Sequence, residues 1–392
     1  MNFTKKIISF PLNQPGLHLE FKVSMLVCHV INTFNRGGAE THLLDLIKEQ
    51  VQNNYDLNLV AIGPDNKNII SIEKDINELG IKTMRLNGPR MFNIFSYFSL
   101  AGYLKKQDFD LIHSHQPRSD FMIFLLKKFS HKISNIKWVV SVHGKHDTYL
   151  EKNNLSNIFR KIFMKRLSKY WQNASSIIAI SDDVKEWITN LNSSLDVVVI
   201  PYWVNKNLQK EIDRKNITLG FLGRLNKNKG IEDFVEALNS INLNKNNIKV
   251  NIGGYGSNDY IRKLTKSIDD KNRASVNFLG YVEGRRKFFN DIDIFIFPSF
   301  SEGLGLVLLE AMSYSKICIT RDIKPMNTYI DSDTGYLFNN VDSLVQKINL
   351  AINDIKKDYS VIEKKLSNID KKLEKSRVEK IFPKFQEVYK NE

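Results

Sequence analysis

Short apolar runs alternate with helical patterns along most of the chain, and this alternation constrains the fold more than any other feature. In the first half, helical periodicity covers 39–53, 95–106, 118–130 and 155–172. Buried strands are predicted around these helices, at Met25–Ile31, Leu57–Ile62, Asp110–His113, Trp138–Val142, Ser176–Ile180 and Val197–Ile200. Strands that alternate with helices predict a doubly wound α/β domain around a parallel sheet.

A second series of the same kind follows a polar, turn-rich segment that begins at Pro201. Its predicted strands are Ile217–Leu222, Ile248–Ile252, Val276–Leu279, Ile294–Phe297 and Ile317–Thr320, and its helices cover 231–241, 258–270, 305–314 and 341–357. A chain of 392 residues is too long for one ordinary core, so two domains are expected. We predict a poorly ordered extension over 1–24, domains over 25–205 and 206–373, and a C-terminal helix over 374–392.

Composition narrows the class of protein further. Hydrophobic residues make up 42% of the chain, which is typical of globular proteins. No apolar run approaches the ~20 residues of a transmembrane helix. Cys28 and Cys318 lie in separate strand-like runs, which indicates buried thiols in a reducing cytoplasm.

The net charge of +14 is partly concentrated in one segment. The segment from Lys127 to Tyr170 contains eleven basic residues and only two acidic ones, which predicts an anionic partner. Nucleic acid is disfavoured, because the chain has no aromatic–basic RNA motif and no DNA-reading motif. On the helix at 155–172 we expect the basic face to contact anionic lipid or to be solvated, and the apolar face to pack on the sheet. That apolar face comprises Leu155, Ile158, Phe159, Ile162, Phe163 and Leu167.

Glu302 and Glu310 flank a glycine turn that joins a predicted strand to an apolar helix. The turn contains Gly303 and Gly305, and the free backbone N–H groups at the helix N-terminus form a natural anion site. Glu310 lies at most about 12 Å further along the chain, because a helix rises about 1.5 Å per residue. This reach suits an elongated ligand with a phosphate in the middle and hydroxyl groups at both ends, as in a nucleotide-sugar.

The same stretch resembles the Glu-x7-Glu signature of the retaining glycosyltransferases of family 4, which have the GT-B fold. The resemblance implies two Rossmann-like domains that face each other across a cleft. The first would be the acceptor side and the second would bind the nucleotide-sugar, while the last helix would cross back onto the first domain. Glu310 would bind the ribose hydroxyls and Glu302 the sugar hydroxyls, and the donor would also contact Gly303, Leu304, Gly305 and Leu306.

A paired glycine, Gly37-Gly38, follows the first strand and opens the first helix. Glycine lets the backbone approach a ligand without a Cβ clash, and the helix N-terminus adds positive potential. The pair resembles the family's loop beneath the donor phosphates and sugar. It is not a dinucleotide-binding fingerprint, because no third glycine follows at the right spacing, and an ordinary strand–helix turn is the alternative.

Gly223-Arg224 and Lys229-Gly230 also stand between a strand and a helix. Two cations at this place can converge on a diphosphate and stabilise the charge of a leaving nucleotide, as a divalent metal does in other sugar transferases. The pattern resembles the family's Gly-Arg and Lys-Gly motif. Arg224 and Lys229 are therefore predicted to act in catalysis without a metal.

Further candidates lie at the ends of other strands. The resemblance places the nucleobase near the backbone of Tyr281 and Val282, and it places His143 near the donor sugar and the acceptor. A metal held by His143 and His146 is disfavoured, because no acidic or cysteine cluster accompanies them. His113 and His115 are interpreted either as cleft residues or as structural histidines.

The resemblance and the motifs together imply a metal-independent retaining hexosyltransferase that needs no cofactor beyond a UDP- or GDP-linked sugar. Its acceptor would be a lipid-linked glycan in capsule or lipopolysaccharide synthesis, and the protein would be cytoplasmic or peripheral on the inner face of the membrane. A sugar-nucleotide epimerase and a non-catalytic nucleotide-binding protein are the alternatives. One segment departs from the family pattern: Arg321–Asn327 stands where a Gly-Gly-x-x-Glu loop is common, which puts the local donor contacts in doubt.

Overall fold

The computed structural model describes residues 24–65, 69–86, 94–145, 154–207 and 212–391. The predicted extension over 1–24 lies outside this range, apart from Ser24. Seven parallel strands form the first sheet in the order β3-β2-β1-β4-β5-β6-β7. They are β1 (Leu26–Ile31), β2 (Asp56–Ala61), β3 (Lys82–Arg85), β4 (Leu111–Ser114), β5 (Lys137–Val142), β6 (Ser176–Ala179) and β7 (Val197–Val199).

Helices cover both faces of this sheet, and they are α1 (Gly38–Gln52), α2 (Glu73–Glu78), α3 (Ile94–Lys106), α4 (Pro117–Phe129), α5 (His131–Ser134), α6 (Asn154–Tyr170) and α7 (Asp182–Leu191). One face packs against α3, α4, α6 and α7, around the fully buried Trp138 and Trp171. The other face packs against α1 and α2. Both faces of the sheet are therefore buried, which explains why its central strands are apolar runs without alternation.

The second sheet has six parallel strands in the order β10-β9-β8-β11-β12-β13. They are β8 (Ile217–Leu222), β9 (Ile248–Gly253), β10 (Val276–Gly280), β11 (Ile294–Phe297), β12 (Ile317–Arg321) and β13 (Tyr336–Phe338). In each sheet the strand order reverses once, between β1 and β4 and between β8 and β11. Such a reversal opens a crevice at the carboxyl ends of the strands, where open α/β sheets bind ligands.

The helices of the second half are α8 (Ile231–Asn239), α9 (Asn258–Lys266), α10 (Asp270–Arg273), α11 (Arg285–Asn290), α12 (Leu306–Ser313), α13 (Met326–Tyr329), α14 (Val341–Lys357), α15 (Tyr359–Leu373) and α16 (Val378–Lys390). The last helix, α16, lies against the first sheet and not the second. Its Phe385 and Tyr389 belong to one apolar cluster with Val27, Val139 and Ile178 of β1, β5 and β6.

The doubly wound α/β architecture predicted from the alternation is confirmed in both halves. Two strands were missing from the prediction, β3 and β13. The sequence of β3 is Lys-Thr-Met-Arg, and it lies at the edge of the sheet with no buried residue. An edge strand needs no apolar run, so its sequence carries no hydrophobic signal.

The expectation for the apolar face of α6 was wrong. Ile158, Phe159, Ile162 and Phe163 are exposed, with 69% of Phe159 accessible to solvent. The face that meets the sheet is narrower and consists of Met164 and Leu167, which are buried. Among the described residues, no helix combines the length and the hydropathy needed to cross a membrane.

Candidate active site

A cavity of about 520 Å³ lies between the two sheets, at the carboxyl ends of their strands. Residues of both domains line it. Most of the residues singled out in the sequence are among them: Gly37, Gly38, His143, Gly223, Arg224, Lys229, Tyr281, Val282, Glu302 and Leu306. The other four, Gly303, Leu304, Gly305 and Glu310, are not part of the lining. The structure thus brings two separate sets of motifs to one place.

On the first-domain side, Gly37 precedes α1 and Gly38 begins it. A Cβ atom on Gly38 would meet no heavy atom within 4 Å, so this part of the helix N-terminus is open to the cavity. Glu40, in the first turn of α1, is buried, and its Oε1 accepts a hydrogen bond of 2.7 Å from Gln116 Nε2. Burial raises the pKa of Glu40, while hydrogen bonds and the charge of Arg224 oppose the shift.

The two predicted cations are held differently. Lys229 lies in a single 3₁₀ turn, where the Asn226 side chain accepts a hydrogen bond of 3.2 Å from its backbone N–H. Its Nζ forms an ion pair of 2.5 Å with Glu302 Oε1, and both side chains are largely buried. Arg224 is exposed at the cavity wall. The structure therefore pairs one predicted cation with one predicted carboxylate and leaves the other cation facing the cavity.

Glu310 lies behind the cavity wall, on α12, and reaches the cavity through Arg285. The guanidinium Nη1 of Arg285 donates to Glu310 Oε1, and Arg285 itself lines the cavity. The second oxygen, Oε2, is buried and forms no hydrogen bond within the part of the chain described. Burial raises the pKa of Glu310, and the charge of Arg285 opposes this shift. The Glu310 carboxylate therefore holds Arg285 at the cavity wall with one oxygen and keeps a second acceptor oxygen directly behind that wall.

The glycine turn between the two glutamates forms a contact between the domains. A Cβ atom on Gly303 would lie 2.5 Å from the His143 carbonyl oxygen and 2.9 Å from Gly144 Cα. The Ser181 hydroxyl donates a hydrogen bond of 2.7 Å to the Gly303 carbonyl. Only glycine allows the two backbones to approach this closely. Leu304 is buried in the apolar core that spans both domains, so its position is structural.

Gly305 provides the backbone conformation that starts α12. It is the N-cap of that helix and has a φ of +83°, in the left-handed region that favours glycine. Leu306, the first residue of the helix, lines the cavity. The turn therefore aims the N-terminus of α12 at the cavity, as the sequence pattern predicted.

The far end of the cavity is lined by aromatic and apolar groups. Tyr281 and Val282 follow β10, and Tyr255 follows β9. The ring centroids of Tyr255 and Tyr281 lie 6.4 Å apart. This pair of rings, close to the backbone of Val282, has the chemistry to hold a flat base.

His143 lies at the end of β5 and lines the cavity, and both of its ring nitrogens are hydrogen bonded within the protein. Its Nε2 lies 3.2 Å from His115 Nδ1, and its Nδ1 is hydrogen bonded to the Tyr202 hydroxyl. His113 and His115 are almost completely buried, so the structural interpretation of these two is the correct one. His146 lies outside the described residues.

Three histidines, His29, His113 and His115, have ring nitrogens within 4.8 Å of one another, which is a spacing that a metal ion can bridge. Hydrogen bonds engage these nitrogens instead. His29 binds His115 and Gln50, and His113 binds Ser141 and Tyr389. Because a metal would have to displace these bonds, the group fits a hydrogen-bonded network better than a metal centre.

Arg321, the first residue of the segment that departs from the family pattern, is a structural residue. It is buried, its Nε donates to the Pro298 carbonyl at 3.1 Å, and its Nη2 lies 2.5 Å from Asp233. It is not part of the cavity lining. The side chain therefore joins the ends of β11 and β12 to α8 and takes no direct part in the site.

Sequence reasoning missed several polar residues of the cavity wall, among them Glu40, Gln116 and Arg285. Glu40 stands in the same glycine motif as Gly38, but a carboxylate in the first turn of a helix also has an ordinary role beside the helix dipole. Arg285 stands in an Arg-Arg pair that looks like any solvated charge pair. Its position after β10, one of the glycine-marked strand ends, was the available signal.

Comparison with known proteins identifies the family of this chain. The family model for group 1 glycosyl transferases matches residues 205–367, and that for Glycosyltransferase Family 4 matches 36–208. The chain belongs to glycosyltransferase family 4. The two matched ranges together include every candidate residue of the cavity. The suspected family membership is thereby confirmed, and the protein is a glycosyltransferase.

Relatives of this glycosyltransferase span most of its length. An uncharacterized glycosyltransferase of Methanocaldococcus jannaschii is 25% identical over 354 residues, which is 81% of this chain and 86% of the relative. The N,N'-diacetylbacillosaminyl-diphospho-undecaprenol alpha-1,3-N-acetylgalactosaminyltransferase of Campylobacter jejuni is 24% identical over 72% of this chain and 79% of its own.

Solved structures agree on the fold. The crystal structure of Anabaena HepE in complex with UDP and glucose superimposes with a TM-score of 0.76. It is 17% identical, and the superposition covers 93% of this chain and 99% of that chain. The glycosyltransferase therefore has the GT-B fold, as the sequence motifs predicted.

Proposed function

We propose that this glycosyltransferase is a metal-independent, retaining hexosyltransferase that uses a UDP- or GDP-linked sugar. The proposal rests on one observation, which is the grouping of Arg224, Lys229 and Arg285 on the second-domain wall of the cavity. Three cations there would stabilise the two phosphates of a nucleotide and the charge that develops as they leave. Glu302 and Glu310 stand beside two of these cations and supply acceptors for hydroxyl groups.

The donor would lie along the cavity with its base at the Tyr255 and Tyr281 end and its sugar at the His143 end. Its base would stack near Tyr255 and Tyr281, and its ribose hydroxyls would bind at the Glu310 carboxylate beside Arg285. The diphosphate would lie between Arg224 and Lys229, and the sugar would lie between Glu302 and His143. The amides at the N-termini of α1 and α12, next to Gly38 and Gly305, would add positive potential from both sides.

In the transfer step, an acceptor hydroxyl oxygen forms a bond to the anomeric carbon on the face from which the diphosphate departs. The bond between that carbon and the diphosphate oxygen breaks with its electron pair, and the acceptor proton passes to the departing phosphate. The products are a glycoside of unchanged anomeric configuration and a nucleoside diphosphate. We assign no covalent intermediate, because no side chain of the described wall is placed as an activated nucleophile.

The acceptor we propose is a growing glycan on a lipid carrier, in cell-surface polysaccharide synthesis. The name of the Campylobacter jejuni relative describes a sugar acceptor on diphospho-undecaprenol. An acceptor of this kind remains in the membrane, so the enzyme would have to work at the cytoplasmic membrane surface.

A second surface of the protein supports this placement. Phe95 and Phe98 of α3 and Phe159 and Ile162 of α6 are exposed. Both helices follow strands and run back along one face of the sheet, so their N-terminal halves lie at the edge where the cavity opens. We call this set the apolar edge. Aromatic side chains in such a position suit the boundary between lipid headgroups and acyl chains.

Basic residues continue this edge along α6. Lys161, Lys165, Arg166 and Lys169 are exposed, and the helix contains no acidic residue. Each basic residue near an anionic bilayer contributes about 1 kcal/mol of attraction. We therefore propose that α3 and α6 contact anionic phospholipid while the cavity faces the lipid-linked acceptor.

Nucleotide binding is the first test of the site. Thermal shifts would be measured with UDP, GDP, ADP and CMP, for the wild type and for Glu310→Ala. Ligand at 100 times its Kd should stabilise the protein by about 2.7 kcal/mol. We expect one diphosphate to raise the Tm and the variant to lose this response. The absence of a shift with all four nucleotides would favour the non-catalytic alternative.

Transfer is tested with radiolabelled UDP- and GDP-sugars and a bacterial lipid extract as acceptor, with and without EDTA. We expect labelled lipid in both conditions, with the anomeric configuration of the donor in its NMR spectrum. Inverted product or loss of activity in EDTA would contradict the retaining or the metal-independent part of the proposal. Conversion of the donor without acceptor would identify the epimerase alternative.

Membrane contact is tested by flotation with vesicles of phosphatidylglycerol and of phosphatidylcholine. We expect the wild type to float with the anionic vesicles only. Phe159→Ser with Ile162→Ser should abolish flotation, as should Lys165→Glu with Lys169→Glu. Leu350→Ser removes an exposed apolar residue of the second domain and is the matched control. Equal flotation of the wild type and both double variants would refute the proposed contact.

A further inference from the structure

A buried chain of hydrogen bonds runs from the cavity wall to the C-terminal helix. It begins at His143, whose Nε2 lies 3.2 Å from His115 Nδ1. His115 Nε2 lies 2.9 Å from His29 Nδ1, and His29 Nε2 lies 2.9 Å from Gln50 Oε1. Gln50 Nε2 then donates to the hydroxyl of Tyr389 on α16, at 3.3 Å. The residues between His143 and Tyr389 are all buried.

The donor and acceptor atoms of these residues give the series of hydrogen bonds a single donor-to-acceptor direction. A neutral imidazole has one donor nitrogen and one acceptor nitrogen. Because the Gln50 oxygen only accepts, His29 must donate from Nε2 and accept at Nδ1. His115 then donates from Nε2 and accepts at Nδ1, so the hydrogen on His143 lies on Nε2. The remaining nitrogen of His143, Nδ1, accepts from the Tyr202 hydroxyl.

His29 and His115, in the middle of this series of hydrogen bonds, are held in the neutral form that this direction requires. Burial lowers the pKa of His29 to about 4 and that of His115 well below its usual value. Burial also raises the pKa of Tyr202 far above its usual value, so its hydroxyl remains a donor.

The orientation of the Gln50 amide sets the direction of these hydrogen bonds. The Tyr389 hydroxyl accepts from Gln50 Nε2 and also lies 2.7 Å from His113 Nδ1, while His113 Nε2 lies 2.8 Å from Ser141 Oγ. If the amide turned over, it would present N–H groups to His29, and each imidazole along the chain would have to exchange its donor and acceptor nitrogens. His143 would then carry its hydrogen on Nδ1.

We propose that Tyr389, Gln50, His29 and His115 are positioning residues that hold His143 at the cavity wall as a single neutral tautomer, with the hydrogen on Nε2. The significance for sugar transfer rests on the proposed function, since that function places His143 beside the sugar. The tautomer itself does not depend on it. The C-terminal helix thus reaches the reaction site through hydrogen bonds and not only through packing.

The test reads the tautomer directly and needs no substrate. Two-bond ¹H–¹⁵N correlation spectra of the full-length protein, labelled with ¹⁵N-histidine, distinguish Nε2–H from Nδ1–H rings. The His143 signals would be assigned with His143→Asn. We expect Nε2–H at His143, His115 and His29 in the wild type. Gln50→Leu should give mixed tautomers at His143, although three hydrogen bonds separate Gln50 from His143.

Two further variants separate this role from a general loss of structure. Gln50→Glu keeps an acceptor oxygen for His29 and should retain the Nε2–H signal of His143. Gln52→Leu makes the same change at an exposed position of α1 and should alter no histidine signal. A wild-type His143 with mixed tautomers, or a His143 that keeps Nε2–H in Gln50→Leu, would overturn the proposal. Both results would leave the nucleotide and transfer tests unaffected.

A kinetic measurement connects the tautomer to the reaction. In the lipid-extract assay, Gln50→Leu should lower kcat with little change in the donor KM, and Gln50→Glu should restore it. If Gln50 had only a structural role, both variants would lose activity in proportion to the loss of folded protein. Loss of activity with an unchanged His143 tautomer would also count against the proposal.

Discussion

Lys229 and Glu302 form an ion pair in the wall of the cavity, with Nζ 2.5 Å from Oε1. They come from separate motifs, since Lys229 follows β8 and Glu302 follows β11, and the pairing of these two strands brings the motifs together. Each side chain therefore holds the other in place. A diphosphate that approaches Arg224 would find Lys229 already oriented and partly desolvated.

The first prediction concerns this cation. Lys229→Met keeps the length of the side chain but removes its charge, so the departing diphosphate loses one stabilising group. Removal of one such group typically lowers kcat by about 10²–10³-fold. The measurement is kcat with the UDP- or GDP-sugar that serves as donor. Lys227→Met, at an exposed position in the same turn, is the matched control and should retain activity. Comparable losses in both variants would argue against a specific role for Lys229.

The second prediction concerns Glu310. Glu310→Gln removes the charge that pairs with Arg285 and weakens the acceptor offered to a ribose hydroxyl. Hydrogen bonds to charged groups contribute about 1.5–3 kcal/mol, so nucleotide affinity should fall about 10- to 100-fold. Calorimetry with the diphosphate that stabilises the wild type measures this change. Glu283→Gln, nearby and exposed, should bind normally. Unchanged affinity in Glu310→Gln would remove Glu310 from the nucleotide site.

The third prediction concerns the contact between the domains. Gly303→Ala would place a Cβ atom 2.5 Å from the His143 carbonyl oxygen, so the two domains could not approach as closely as they do. We expect transfer activity to be lost and the radius of gyration from X-ray scattering to increase. Gly102→Ala, in α3, meets no heavy atom within 4 Å and should leave both unchanged. Full activity in Gly303→Ala would show that this close contact is dispensable.

The fourth prediction concerns Asp120, a buried residue in the first turn of α4, which accepts a hydrogen bond of 3.1 Å from the Trp171 indole. Burial raises the pKa of Asp120 to about 7, although hydrogen bonds from Ser114 and Trp171 oppose the shift. An unfolded Asp has a pKa of about 3.9, so the folded state holds the proton more tightly. Stability should therefore fall as the pH rises from about 4 to 7 and should not fall further above 7 for this reason.

Asp120→Asn tests this because an amide keeps the acceptor for Trp171 but carries no charge. The Tm of the variant minus that of the wild type should increase between pH 4 and pH 7 and then stay constant. The side chain of Asp108 is 97% exposed, so the Tm difference between Asp108→Asn and the wild type should not change with pH. A difference that shrinks as the pH rises would contradict the assigned pKa.

The predictable part of the site is the part encoded locally. Arg224, Lys229 and Glu302 stand beside glycines at strand ends, and such a pattern indicates a ligand contact without knowledge of the fold. Arg285 also follows a glycine after a strand, but its ion pair with Glu310 depends on the start of α11 lying near α12, and this proximity is not visible in the sequence. The juxtaposition of His29 and His115 depends on the pairing of β1 with β4, which places residues far apart in sequence side by side.

The fold was predictable at the centre of each sheet, where burial of both faces makes the strands largely apolar. Strand β11 is apolar throughout and β1 and β5 contain only one or two polar residues, whereas β3 lies at the edge and shows no such pattern. On α6, periodicity correctly grouped Ile158 with Ile162 on one face. It could not tell whether this face meets the sheet or the surface, because both environments accept apolar side chains.

The position of α16 also has a consequence for synthesis of the protein on the ribosome. This helix is translated after both sheets, yet Phe385 and Tyr389 cover Val27, Val139 and Ile178 on the first sheet. The first sheet therefore has an uncovered apolar surface until α16 has been translated. Nascent chains stalled before Val378 should bind chaperones and be sensitive to proteases, whereas chains in which residues up to Lys390 have left the ribosome should not.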